Sequence, residues 1–379
     1  MGVDVRFVVY THDADHARAG ASAAFDRIAA IEQVASDWRP SSEVSLLCAA
    51  PPGQPFALSD DLFTLLETAR RVSFASGGAF DVTIGPVTHL WRVARAAGTQ
   101  PSPAQRSAAA ARVDFRALTL DPARRTATLT RPGVMIDLGG VAQGYAAAEA
   151  LQVLDAAGLH SCLVDLSGDI ALGDPPSGTE GWRIAIPTAD GWRTLSLSRC
   201  AVSTSGDTEQ FEIVANRRES HIREPTTGQG VVGARSVTVI GPDAALCDAL
   251  ATAISVMGPS RGVRLAERAV GYEAVAIIED DEGRLSENET SGMVAHPAST
   301  EPSAQAVGNR TDARRAPTHE TPPPDASPAH ISRTDQRTVP DRSRDRLRSG
   351  LGIRHPAPDP HCSARSSPAR INQNINGIA

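Results

Sequence analysis

One stretch near the middle of the chain carries most of the information about the fold: Ile136-Asp137-Leu138-Gly139-Gly140-Val141-Ala142-Gln143-Gly144-Tyr145. Apolar residues over 134–136 predict a short strand, the glycine pair predicts a turn, and the alanine-rich run predicts a helix over about 143–157. Glycines at such a turn let backbone amides approach a ligand closely, and a helix N-terminus favours phosphate. The spacing is not G-x-G-x-x-G, so a Rossmann fold is not indicated, and an ordinary strand-to-helix turn is the alternative.

Helix-like and strand-like segments are mixed on both sides of this stretch. Threefold spacing of apolar residues predicts an amphipathic helix within 14–35, and Ser59 is a plausible N-cap of a second helix. Further elements follow along the chain: strands at 162–166, 182–186 and 236–240 and a helix at 243–257. The mixture predicts a single α+β domain.

The composition of the chain changes near Leu285. From 286 to 379 there is no Phe, Trp or Tyr, and 12 of the 27 prolines fall in this part. Such a segment cannot bury enough apolar surface to offset the entropy of ordering it. The sequence therefore predicts one domain over 1–285 and a disordered low-complexity tail over 286–379. A short arginine-rich binding arm at 341–348 is the alternative, although aspartates are interleaved there.

All 37 basic residues of the chain are arginine, and lysine is absent. This composition excludes a Schiff-base lysine, a P-loop lysine on a phosphate and a lysine general base. The formal net charge of −7 does not favour a nucleic-acid-binding protein. No apolar run reaches the roughly 18 residues that a membrane-spanning helix needs. The chain passes from Met1 directly into a strand-like run, so no secretory signal is visible.

The predicted helix at 243–257 is apolar on nearly all sides, which implies that it is buried. Its one charged interior residue, Asp248, stands four residues before Thr252, so the two side-chain oxygens share one face. A buried carboxylate needs a partner, and a hard cation is a suitable one. A narrow solvated face around Asp248 is an equal alternative.

Two further motifs contain residues that are capable of chemistry. The first is Ser203-Thr204-Ser205-Gly206-Asp207, which is followed by a turn at 220–228 that contains His221. This histidine is a candidate general base or ligand contact, although a lone histidine is more often structural. The second motif, at 76–86, joins two glycines to Asp81 and then to a short predicted strand. Neither motif identifies a function when it is taken alone.

Taken in order, these motifs resemble those of the ApbE family of FAD:protein FMN transferases. The resemblance starts at Met1-Gly2 and covers almost all of 1–285, but not the tail. The segments that carry it are 36–44, 76–86, 137–145, 166–170, 203–207, 220–228 and the helix with Asp248 and Thr252. The resemblance implies a single ApbE-like α+β domain related to the T-fold.

The resemblance also implies an activity. Members of the family bind FAD with Mg²⁺, cleave its pyrophosphate and move FMN onto a threonine hydroxyl of a target protein, which releases AMP. The expected partners are FAD and an acceptor protein, expected to be a subunit of a redox membrane complex, with no nucleic acid and no membrane-spanning segment in the chain itself. Some members hydrolyse FAD to FMN and AMP, so an FAD pyrophosphatase and an FAD-binding protein with little turnover are the alternatives.

Individual residues match the family's functional positions. Asp248, Thr252 and the backbone carbonyl of Gly140 match its metal ligands, and His221 matches the histidine that takes the proton of the acceptor threonine. The positions that match FAD contacts are Met1, Trp38, Ala79, Phe80, Asp81, Asp137, Gln143 and Ile222. Trp38 replaces a tyrosine of many relatives and would stack on a ring of the flavin nucleotide, and Gln143 replaces a frequent lysine. Relatives are usually exported, whereas this chain starts at the family's first strand, so the compartment is left open.

Overall fold

The computed structural model describes residues 3–206, 211–214, 217–280, 282–295 and 328–332. The helices of this part are α1 (Ala14–Ala35), α2 (Glu43–Ala49), α3 (Asp60–Ser76), α4 (Gly85–Ala96), α5 (Pro103–Ala110), α6 (Ala142–Ala156), α7 (Ala244–Met257) and α8 (Pro259–Glu267). The strands are β1 (Val5–Tyr10), β2 (Phe56–Ala57), β3 (Leu118–Asp121), β4 (Thr126–Leu129), β5 (Cys162–Leu166), β6 (Asp169–Leu172), β7 (Trp182–Thr188), β8 (Gly191–Leu197), β9 (Ala201–Gly206), β10 (Phe211–Val214), β11 (Arg217–Ser220), β12 (Ala234–Gly241), β13 (Glu273–Glu279), β14 (Leu285–Glu289) and β15 (Pro328–Ser332). Short 3-10 turns lie at Phe115–Ala117 and Ser291–Ala295.

An eight-stranded sheet forms the centre of the fold. Its strand order is β14-β13-β12-β9-β6-β5-β1-β15, and all neighbouring pairs are antiparallel. Successive side chains point to opposite faces, so in β1 Phe7 and Val8 belong to two different core clusters. Helices α1, α6 and α7 cover one face, and the hairpin β7–β8 covers the other. Two core layers therefore enclose the sheet, as the α+β prediction requires.

Several predicted elements are confirmed. Helix α1 occupies 14–35, and α3 follows Ser59, whose hydroxyl accepts a hydrogen bond from the Leu62 N–H at 3.2 Å. Helices α6 and α7 lie at the predicted places, and the carboxylate of Asp243 caps α7 by accepting from the Leu246 N–H at 3.0 Å. The strands predicted from apolar runs lie within β5, β7 and β12.

The strand predicted at 134–136 is wrong, although this segment lies among the described residues. Met135 forms a single parallel bridge with Ile84, and the Ile136 N–H on the other side donates to Sγ of Cys48 at 3.2 Å. The short strand predicted after Asp81 is also wrong, because α4 begins at Gly85. Residues 134–136 contact a loop and a side chain, and residues 82–83 form a turn, so neither segment forms a ladder with a neighbouring strand.

Secondary structure among the described residues continues past residue 285, where the sequence predicted the domain to end. Strand β14 pairs with β13, and Met293 in the following 3-10 turn is completely buried. Arg193 of β8 bridges the carboxylates of Glu287 and Glu289 in β14 at 2.8 and 2.7 Å. The composition of the tail did not predict this strand, because main-chain hydrogen bonds and an arginine hold β14 in place rather than apolar side chains.

Most of the predicted tail lies outside the described residues, and this includes the alternative binding arm at 341–348. Its one described segment beyond Ala295 is β15, which pairs antiparallel with β1 at the edge of the sheet. No helix among the described residues is long and apolar enough to cross a membrane.

Helices α6 and α7 approach each other closely at Gly144. A Cβ atom added to Gly144 would overlap the backbone carbonyl of Ala244 and stand 2.9 Å from Cβ of Asp248. The Gly144 N–H donates to Oδ2 of Asp248 at 3.1 Å. The absence of a side chain at this position therefore lets the first turn of α6 contact the N-terminal part of α7 directly.

We expect Gly144→Ala to destabilise the protein by about 1–3 kcal/mol, because the added methyl group overpacks a contact made by backbone atoms. The matched control is Gly20→Ala in α1, where the new methyl group would meet the movable methyl end of Leu159. Alanine is a better helix former than glycine by about 1 kcal/mol, which offsets part of the cost at both positions. Chemical denaturation of both variants measures the difference, and equal stabilities would contradict this account of the helix contact.

Candidate active site

A cavity of about 1160 Å³ lies where the glycine turn before α6, the helix α7 and the ends of β5, β6 and β9 meet. Eleven of the twelve predicted site residues line it: Trp38, Ala79, Phe80, Asp81, Asp137, Gly140, Gln143, His221, Ile222, Asp248 and Thr252. The twelfth, Met1, lies outside the described residues. Residues predicted from separate motifs are thus brought together in one cavity.

The glycine turn packs tightly against α7. A Cβ atom at Gly140 would stand 2.9 Å from Oγ1 of Thr252 and 3.2 Å from the ring of Phe80. The preceding residue, Gly139, donates its N–H to Oδ1 of Asp137 at 2.8 Å. Because a side chain at 140 would separate the turn from Thr252, glycine is required for this close approach.

Asp248 is 5% exposed, so its carboxylate is buried and the alternative of a solvated face is wrong. It accepts hydrogen bonds from the backbone N–H groups of Gly144 and Gln143 in the first turn of α6. Burial raises the pKa of Asp248 well above its usual range, and the nearby charge of Asp169 raises it further. The neutral amide donors act in the opposite direction but bring no full positive charge.

Asp169 is a second buried acid that the sequence did not identify as a site residue. It is 8% exposed, begins β6 and lines the same cavity as Asp248. Burial raises its pKa to about 7, and the charge of Asp165 adds to the shift. The available sequence signal was an acid directly after the Ser167-Gly168 turn, at the start of an otherwise apolar strand.

The oxygen atoms around Asp248 fit a hard cation such as Mg²⁺. No group of three or more His, Cys, Asp or Glu side chains in the described part of the chain is arranged as a metal centre. The ligands that the family resemblance implies, Asp248, the Thr252 hydroxyl and the Gly140 carbonyl, are all oxygen donors, and their role stays a prediction. The pKa values of two buried carboxylates are raised here, and a divalent cation would offset the cost of burying their negative charges.

The carboxylate of Asp81 braces the loop in which it lies. Its Oδ1 accepts from the N–H and hydroxyl of Thr83 at 2.8 and 2.7 Å, and its Oδ2 accepts from the Phe115 N–H at 2.8 Å. Both oxygens are therefore engaged within the protein. Asp81 shapes the part of the cavity formed by Ala79 and Phe80 through these bonds.

His221 is exposed and lies in the cavity wall directly after β11. The turn that follows it is fixed to α4, because the indole N–H of Trp91 donates to the carbonyl of Gly228 at 2.7 Å. Within the turn, the carboxylate of Glu224 accepts from the hydroxyls of Thr226 and Thr227 at 2.9 and 2.7 Å. These contacts hold the backbone next to His221 in a defined position.

The model of the ApbE family matches residues 1–276. The chain therefore belongs to the ApbE family. Among curated relatives, the FAD:protein FMN transferase of Treponema pallidum is 32% identical over 274 residues, which are 67% of this chain and 76% of the relative. The FAD:protein FMN transferase of Vibrio cholerae is 30% identical over 256 residues, 65% of this chain and 76% of the relative.

Solved structures agree with this assignment. A histidine-to-glycine mutant of the flavin transferase ApbE from Vibrio cholerae superposes with a TM-score of 0.69 at 26% identity, over 78% of this chain and 97% of that one. The ApbE protein of Thermotoga maritima gives the same TM-score and identity, over 78% of this chain and 96% of that one. The family and the ApbE-like α+β fold expected from the motifs are confirmed.

The raised pKa of Asp169 predicts how the stability of this ApbE-family chain depends on pH in the absence of metal. Between about pH 4 and pH 7 the folded protein keeps a proton that an unfolded aspartic acid has released, so stability falls as pH rises through this window. Asp169→Asn removes this titrating carboxyl group and also removes a negative charge next to Asp248. We expect the variant to lose stability less steeply between pH 5 and pH 8 and to melt higher than wild type at pH 8.

Thermal melts in EDTA measure this effect, where each kcal/mol corresponds to about 2 °C for a domain of more than 250 residues. Asp190→Asn, a substitution of an exposed aspartate, is the control and should follow the wild-type profile. An Asp169→Asn profile parallel to that of wild type would show that Asp169 is not the group that titrates.

Proposed function

We propose that this protein transfers FMN from FAD to a threonine hydroxyl of an acceptor protein in a Mg²⁺-dependent reaction that releases AMP. The observation that carries the proposal is the cavity itself, where His221, the oxygens around Asp248 and the indole of Trp38 occur together. A base, a cation site and an aromatic surface are the three elements that a transfer from a dinucleotide requires. Membership of the ApbE family and the names of the relatives support the same reaction.

Asp248, Thr252 and the carbonyl of Gly140 would hold Mg²⁺. When bound there, the ion would stabilise the negative charge that develops on the pyrophosphate as it is cleaved. Gln143 at the start of α6 has an amide side chain, so it contributes hydrogen bonds but no charge. Positive charge next to the phosphates would therefore come from the cation or from an arginine of the cavity wall.

His221 acts as the general base in this proposal. It takes the proton of the threonine hydroxyl, and the threonine oxygen forms a bond to the phosphorus atom on the riboflavin side of FAD. The bond between this phosphorus and the bridging oxygen breaks, and AMP leaves with that oxygen. The exposed position of His221 suits the role, because the threonine arrives on another protein.

The aromatic and loop residues of the cavity bind and orient FAD. Trp38, which is 52% exposed, offers a flat apolar surface to a ring of the nucleotide. Ala79, Phe80, Asp137 and Ile222 complete the wall around it. The expected acceptor is a subunit of a redox membrane complex, as the family resemblance implies.

Incubation with FAD, Mg²⁺ and a flavinylation-competent acceptor tests the proposal. We expect a mass gain of one FMN minus water on an acceptor threonine, and one AMP for each FMN transferred. Asp248→Asn should abolish the Mg²⁺-dependent reaction without unfolding the protein, because the neutral amide removes a buried charge. His221→Ala should lower kcat by about 10²–10⁴-fold, the usual contribution of a general base.

The same experiment separates the proposal from its alternatives. Free FMN with AMP and no modified threonine would indicate an FAD pyrophosphatase. Intact FAD that stays bound after Mg²⁺ is added would indicate a flavin-binding protein. Full activity of Asp248→Asn would show that the cation lies elsewhere.

A further inference from the structure

Arg92 of α4 contacts three side chains that come from two distant parts of the chain. Its guanidinium forms ion pairs with Asp37 and with Asp137, the latter at 2.9 Å between Nη2 and Oδ2. Its Cζ atom lies 4.4 Å from the ring centre of Trp38. All four residues line the cavity. Neither the family motifs nor the relatives' names assign a role to Arg92.

The guanidinium uses its edge and its flat face for different partners. The two carboxylates occupy donors at the edge, while the face lies over the indole. One positive charge thus serves two negative charges, and the group is not a free cation aimed at a phosphate. Arg92 acts on a ligand through the residues that it holds.

Removal of Arg92 would leave two carboxylates close together in a half-buried place. The side chains of Asp37 and Asp137 are 22% and 10% exposed. Burial raises the pKa of Asp37, and the charge of Asp137 raises it further, while Arg92 lowers it. Without the guanidinium the two acids would repel each other, and the segment that carries Asp37 and Trp38 would lose its fixed position.

The same contacts connect the ring of Trp38 to the glycine turn. Oδ2 of Asp137 accepts a hydrogen bond from the Arg92 guanidinium, and Oδ1 accepts one from the Gly139 N–H at 2.8 Å. The next residue, Gly140, packs directly on Thr252. A continuous series of contacts therefore runs from the aromatic surface to the place proposed for the cation and the phosphates.

We infer that Arg92 is a positioning residue that holds Trp38 against one wall of the cavity, so that the exposed indole face receives a planar ring of FAD at a fixed distance from the glycine turn. This inference rests on the proposed use of FAD. An arginine is required for this geometry, because the ammonium group of lysine has neither a planar fork nor a flat face.

The matched control is Arg27, which also bridges two carboxylates, Asp61 and Glu149, and is 25% exposed against 26% for Arg92. Arg27 and its two partners do not line the cavity. Arg27→Ala therefore removes an equivalent ion-pair fork and controls for a general loss of stability. Arg92→Lys keeps the charge and removes the fork, which provides a milder second variant.

Two measurements test the inference. The first needs no ligand and measures how acrylamide quenches the fluorescence of Trp38. The contribution of Trp38 is the difference between each protein and the same protein that also carries Trp38→Phe. We expect Arg92→Ala to make Trp38 more accessible to acrylamide, and Arg27→Ala to leave it unchanged. The second is the Kd for FAD, which we expect to rise about tenfold in Arg92→Ala and less in Arg92→Lys, as the loss of a stacked, bidentate arginine implies.

Steady-state kinetics and separate ligands complete the test. Arg92→Ala should raise KM for FAD and change kcat by less than about threefold, since the residue does not touch the reacting atoms. Separate titrations with FMN and AMP show which ring lies on Trp38, because only that ligand should bind more weakly to the variant.

Each outcome bears on a different claim. Unchanged quenching of Trp38 together with an unchanged Kd for FAD would overturn the inference. A lower kcat with an unchanged KM would also overturn it, by placing Arg92 in the chemical step. Increased quenching of Trp38 in Arg92→Ala, combined with a wild-type protein that does not bind FAD, would support the positioning of Trp38 and reject the proposed function instead.

Discussion

The contact between α6 and α7 at Gly144 is the constraint on which the rest of the site depends. A residue without a side chain lets the first turn of α6 rest on the backbone of Ala244 and on Cβ of Asp248. The same approach brings Gly140, one turn earlier, against Thr252. Two glycines about one helical turn apart thus place amide donors, a hydroxyl and a carboxylate within one small volume, and no single side chain could achieve this.

Burial of Asp248 and Asp169 side by side opposes folding at neutral pH unless the acids are protonated or a cation neutralises them. Burial raises the pKa of both acids; the charge of Asp169 raises the pKa of Asp248 further, and the charge of Asp165 raises that of Asp169. The backbone donors to Asp248 are neutral amides. Burial of a charge without a full counter-charge lowers stability. The apolar surface of α7, which packs against α6, α3 and the sheet, contributes the opposing stabilisation. A ligand that binds the folded form alone then adds stability by mass action.

The sequence predicted what depends on local periodicity and failed where partners are distant. The apolar pattern of 243–257 correctly predicted a buried helix, but whether Asp248 faces solvent was decided by α6, about a hundred residues earlier. The run at 134–136 has the composition of a strand, yet its neighbours are a loop and Cys48, so it forms no ladder. Strand β14 has the composition of the tail, yet Arg193 and the edge of β13 hold it. The burial of Asp169 was not predicted, because it depends in part on β9, a strand that follows later in the chain.

The absence of lysine acquires a structural meaning from three arginines. Arg27 and Arg92 each bridge two carboxylates from separate parts of the chain, and Arg193 of β8 bridges two carboxylates of β14. A guanidinium has five donors in a rigid plane and can serve two acids at once, whereas an ammonium group offers a point charge without fixed directions. With 44 acids against 37 arginines, such shared pairing neutralises more acids for each cation.

These arginines are held by the carboxylates they join, so none of the three is a mobile charge for a ligand. Three other arginines, Arg6, Arg95 and Arg223, also line the cavity. The proposed cation would therefore add to the positive charge of the cavity beside Gln143, where the side chain itself brings none.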